Sequence, residues 1–152
     1  MRDRDLGHIP NITYTVDGLT QEPIEISTRD LMYISEDMDS EVDRAACDYG
    51  FYAVLSEKAE TKHQRLKFKF EQWKARTEHD ELSRREAEKE KKLTEASMRS
   101  YIMSQPKYRA YQLKIIDYGE RARVCKKVVD VLSARKDLLQ TKCSNRRKEI
   151  RR

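Results

Sequence analysis

Apolar residues fall three and four apart over most of this chain. Leu31, Ile34, Met38, Val42, Ala45, Ala46, Tyr49 and Tyr52 open one such series, which continues through Ala53, Ala59, Leu66, Phe70 and Trp73. Steps of that size place one stripe along a helix. With Ser27 or Thr28 as cap and Asp30 favoured by the dipole of the first turn, the spacing predicts a long helix over 28–76. Gly50 is its weak point, a break or a close crossing, because glycine costs about 1 kcal/mol relative to alanine in a helix. Before it, Ile12, Tyr14 and Val16 alternate with polar residues, Asp17-Gly18 signals a turn, and Ile24 and Ile26 alternate again. A small hairpin or extended arm is expected within 1–27, behind a loose leader at 1–11. Two strands alone are marginal in water, so the arm needs a surface to pack on.

From Thr77 to Lys92 nearly every residue is charged, which reads as an exposed hairpin tip over 77–93, part helix and part loop. Thr94-Glu95 restarts a short helix at 94–105, carrying Met98, Tyr101 and Ile102 and stopped by Pro106. Pro106 suits the start of the next helix, expected at 106–150. There Tyr108, Tyr111, Ile115, Tyr118, Ala122, Cys125, Val129 and Leu132 step without a miss. Lys136 breaks the register once before Leu139 and Cys143 resume it. A heptad stripe of this length predicts coiled-coil packing. The expected fold is all-α: a long antiparallel helical hairpin over 28–152, with a short N-terminal β-hairpin or arm.

Composition sharpens this picture. Charged residues make up 39% and hydrophobic ones 38%, with only 4 Gly and 3 Pro. Such a chain favours long helices whose narrow stripes complete their burial against other copies, so a homo-oligomer is expected. Charge is divided along the chain. Residues 1–60 hold 5 Lys/Arg against 14 Asp/Glu, a net of −9, whereas 61–152 hold 27 against 13, a net of +14. That asymmetry points to a polyanion partner for the basic half. The charged N-terminus (Met1 to Asp5) does not read as a secretory signal, and no apolar run approaches the ~18 residues of a membrane span. A cytoplasmic protein is expected, with no membrane partner.

Catalytic chemistry finds little support. His8, His63 and His79 share no spacing, and Cys47, Cys125 and Cys143 form no CxxC or Cys/His cluster. The expectation is a protein that is not an enzyme, with no cofactor and no metal site. The basic stretch of the first long helix is more informative. Arg65, Lys67, Lys69, Lys74 and Arg76 interleave with Phe68, Phe70 and Trp73, and Arg84 and Arg85 follow. Cations neutralise phosphates, and aromatic rings stack on unpaired bases for ~1–3 kcal/mol each. Candidate contacts to single-stranded DNA are therefore Arg65, Lys67, Phe68, Lys69, Trp73, Lys74, Arg76, Arg84 and Arg85. Leu66, Phe70 and Trp73 also lie on the core stripe, which leaves Phe68 the better exposed stacker. A secondary cluster comprises Arg135, Lys136, Lys142, Arg146, Arg147 and Lys148. Its rival role is neutralising the acidic start of the first helix, within one chain or in a neighbour.

The order of features is itself distinctive. A capped start (Ser27, Thr28, Arg29, Asp30, Leu31) leads to an aromatic, alanine-rich helix (Ala45 to Ala53) and a basic run (Arg65 to Arg76). A Thr94-Glu95 restart and a last helix reaching Ser133, Ala134, Arg135 and Lys136 complete it. This layout, over about residues 28–145, resembles the UvsY-type recombination mediators of tailed phages and related phage helical-hairpin proteins. The resemblance implies an oligomer that binds single-stranded DNA and loads a RecA-like recombinase onto strands covered by single-strand-binding protein. It would then work in the host cytoplasm. Lys67, Lys69, Lys74 and Arg76 match the family's basic helical segment. The arm and the charged tip depart from it. The alternative is a scaffolding coiled coil whose basic half meets the acidic half of a neighbour.

Overall fold

A computed structural model describes residues 13–35 and 37–150. The leader at 1–11, Ile12, and Arg151 and Arg152 of the basic tail lie outside the described residues. The fold is all-α with a small N-terminal hairpin, and two long helices pack against each other. In order the elements are β1 (Thr13–Val16), β2 (Ile24–Ser27), α1 (Thr28–Met32), α2 (Met38–Ala87), α3 (Glu95–Ser104) and α4 (Pro106–Ile150).

The chain forms two compact units. The first takes described residues up to Lys58 together with those from Arg121 onward. In it, β1 and β2 pair antiparallel, with Thr13 opposite Ser27 and Val16 opposite Ile24. Alternation turns Val16 and Ile26 inward, where they are buried with Leu19. The hairpin is tied to α4 by Arg121, whose guanidinium donates to the Asp17 carbonyl at 2.9 Å and pairs with its carboxylate. The surface that the arm needed is thus α4. Ala45 and Leu55 of α2 and Ala122, Cys125, Val128, Leu132 and Leu139 of α4 are the buried apolar residues of the two packed helices in this unit. Burial also raises the pKa of the Cys125 thiol.

The second unit is residues 59–120. Its centre is a ring cluster on α2 and α4. Phe70 lies 5.9 Å from Trp73 and 5.6 Å from both Tyr108 and Tyr111. Met98 and Ile102 of α3 are buried in the same unit. Thr94 caps α3, its hydroxyl accepting from the Ser97 amide at 3.2 Å.

The helix expected at 28–76 is not continuous. It stops at Met32 and restarts at Met38, because Asp37 is a cap: its carboxylate accepts from the Asp39 and Ser40 amides and from the Ser40 hydroxyl at 2.7 Å. The hydroxyl bond from Ser40 is the main reason the Asp37 carboxyl is held below its ordinary pKa. Gly50 does not break α2, and among the described residues a Cβ there would meet nothing within 4 Å, so it marks no close crossing.

The charged segment after Arg76 is also helical, to Ala87. It lacks glycine and proline, and carries Glu81–Arg85 and Arg84–Glu88 ion pairs four residues apart. Within 77–93 the first part is therefore helix, to Ala87, and the rest is loop. It begins with a Schellman cap, in which the Lys89 amide donates to the Glu86 carbonyl and the Glu90 amide to the Arg85 carbonyl, with Lys89 left-handed at φ 56.

Two seam positions also differ from expectation. Arg135, rather than a break at Lys136, continues the α4 seam between Leu132 and Leu139, and Glu41 rather than Val42 occupies the α2 seam. The two side chains form a buried ion pair.

Candidate nucleic-acid interface

In the second unit, α2 and α4 present a cationic groove along one side. One stretch is lined by Lys62, Arg65, Leu66, Lys69, Lys114 and Tyr118. The adjoining stretch shares Leu66, Lys69 and Lys114 and adds Trp73, Lys107, Ala110 and Tyr111. Five cations therefore stand around an apolar and aromatic floor, and among the described residues no acidic side chain lines either stretch.

Helical spacing explains the sorting. On α2, Lys62, Arg65 and Lys69 step by three and four, and Arg76 lies two turns further on the same side. Glu60, Glu71 and Glu78 fall on another side of the helix. On α4, Lys107 and Lys114 are seven residues, or about 10.5 Å, apart, close to the interval between Lys62 and Lys69. Two rows of positive charge result, one from each helix. Among the described residues, Arg65, Lys69, Lys107 and Lys114 have no ion-pair partner, so their charges are available to an anion.

The floor is built of rings. Trp73 is half-buried, tilted 30° to Tyr111 at 5.6 Å and stacked on Phe70. Core packing and exposure to the groove thus coexist in Trp73.

The nine residues singled out on α2 separate into three groups. Arg65, Lys69 and Trp73 meet in the groove, and Arg76 is exposed on the same helix face. Lys67, Phe68 and Lys74 point elsewhere. Phe68 is 65% exposed, yet two residues past Leu66 it is turned roughly 200° from that side chain and lines neither stretch. Lys74 pairs with Glu71 at 3.0 Å, lies over the Phe70 ring and lines a different groove beside α3. Arg84 and Arg85 close the end of α2, pairing with Glu81, Glu88 and Glu90.

The secondary cluster divides too. Arg135 is buried against Glu41 and donates to the Leu31 carbonyl at 3.5 Å, so it faces no solvent anion. Lys136 sits over the Tyr49 ring at 5.8 Å and, with Arg147, shares a groove with Asp39 and Asp43. Lys142, Arg146 and Lys148 are exposed. The contributions of Lys62, Lys107 and Lys114 escaped the sequence reading. Their signal was the position of each lysine beside an apolar seam, with the cross-helix partner unknown.

Glu81 gives a sharp local expectation. Hydrogen bonds from Arg84, then Arg85, hold its carboxyl at a pKa of about 2 against an ordinary 4.5. A depressed carboxyl stabilises the folded state fully above its unfolded pKa, so this contribution is whole above about pH 4.5 and is lost as pH falls toward 2. The carbon-13 shift of the Glu81 carboxyl should titrate near 2, and rise toward 4.5 in Arg84→Ala/Arg85→Ala. A midpoint near 4.5 in the unaltered protein would contradict the geometry.

No protein-family model matches the chain, and no curated protein or solved structure does either. Among the described residues, no group of three or more His, Cys, Asp or Glu side chains could hold a metal ion, and no helix is long and apolar enough to cross a membrane.

Proposed function

We propose that this protein is a non-enzymatic, oligomeric accessory factor that binds single-stranded DNA in the cationic groove of α2 and α4. The observation that carries the reading is the pairing of unopposed cations with ring faces on one surface: Arg65, Lys69, Lys107 and Lys114 beside Trp73 and Tyr111. Lysine and arginine heads take the phosphates, and the rings offer stacking surface to unpaired bases without reading their edges. Assembly would multiply weak contacts into useful avidity. The layout resemblance supplies the finer proposal, a recombination mediator that helps a RecA-like recombinase displace single-strand-binding protein.

Fluorescence anisotropy of a labelled oligonucleotide, titrated at several salt concentrations, tests the binding. Log affinity should fall linearly with log salt, at about 0.7 per neutralised phosphate on a single strand. Absence of binding at low salt would overturn the proposal.

A second reading has one observation in its favour. The buried Arg135–Glu41 pair sets one cation of the basic half against one carboxylate of the acidic half. A scaffolding protein would use the remaining cations in the same way between copies. Charge reversal of the groove lysines would then change assembly size rather than DNA affinity, which light scattering distinguishes.

A further inference from the structure

The C-terminal half of α4 carries a second apolar line that the fold does not bury. Val124, Val131 and Leu138 recur at seven-residue intervals. Val131 is 40% and Leu138 57% exposed, while Val124 is half-buried. Isolated exposed apolar residues are ordinary, but three in heptad register form a line suited to another helix. Arg123, Asp130 and Asp137 repeat at the same interval along the solvent flank of this line. Lys127 lies within it and pairs with Asp130 at 3.3 Å.

We infer that this outer face of α4 docks antiparallel on the same face of a second copy of the chain. Charge selects both occupant and direction. A parallel pair would stack Lys127 on Lys127 inside the seam. Reversing one helix about Asp130 sets Lys127 beside the other copy's Val131, and sets Arg123 opposite the other copy's Asp137, twice by symmetry. It also brings the two Asp130 together at the axis on the solvent flank, where each keeps its own Lys127 as counter-ion. The inference does not depend on nucleic-acid binding and is measured without it.

Sedimentation velocity on the full chain is the test. The unaltered protein should self-associate, and Val131→Glu/Leu138→Glu should remain monomeric with its helical circular dichroism intact. Arg123→Glu should weaken association by at least about tenfold, and Arg123→Glu/Asp137→Arg should restore it. A monomeric unaltered protein, unchanged association in Val131→Glu/Leu138→Glu, or failure of the charge swap to restore would each overturn the inference. Should the double glutamate variant lose helicity, the swap decides alone, because Arg123 and Asp137 are exposed.

Discussion

Replacing Arg65, Lys69, Lys107 and Lys114 with glutamine is expected to lower affinity for single-stranded DNA several-hundred-fold at 0.1 M salt. On a single strand each lost phosphate contact removes about 0.7 from the slope of log affinity against log salt, so four remove roughly 3. Between 1 M salt, where that contribution vanishes, and 0.1 M, the same quantity is lost from log affinity. All four side chains are exposed, so the fold should survive, as circular dichroism can verify. Glutamine at Lys67 and Lys74 should matter far less, since neither lines the groove. Equal losses per substitution from the two sets would mean that DNA follows net charge and not this surface.

The second large effect concerns the buried pair in the first unit. Glu41→Ala or Arg135→Ala alone should destabilise that unit by about 3–5 kcal/mol, because each leaves an uncompensated charge in the seam. Glu41→Leu/Arg135→Met should recover most or all of the loss, since apolar side chains of similar volume replace such pairs at little cost. Among the described residues Arg135 Nε has no hydrogen-bond partner, which adds a desolvation cost to keeping the ion pair. Chemical denaturation monitored by circular dichroism measures all three variants. If the double variant is no more stable than the singles, the pair is not the reason for their loss.

The same pair shows where the sequence stopped being legible. At both 41/42 and 135/136, two successive residues fit a stripe of threes and fours. Apolarity favoured Val42 and made Lys136 look like a break, but burial chose Glu41 and Arg135 because each compensates the other. Mutual compensation across two helices is invisible to a one-dimensional pattern. The hairpin at β1 and β2, the start of α3 and the course of α4 were readable, since alternation, a Thr94 cap and Pro106 are local signals. The break before α2 was local too, but Asp37 lies between apolar residues that keep the helical spacing on either side.

The groove was half legible for a related reason. Its α2 row came from a basic run that the eye catches. Lys107 and Lys114 are spread along α4 and join the row only through helix packing. Phe68 looked the better ring because it was off the seam, and that offset is what turns it from the groove.

Trp73 is the chain's single tryptophan and part of the groove floor, so its emission reports on this surface. Titrating the unlabelled protein with a single-stranded oligonucleotide should quench Trp73 fluorescence with the midpoint found by anisotropy, and added salt should reverse both together. Binding seen by anisotropy with Trp73 emission unchanged would contradict the account.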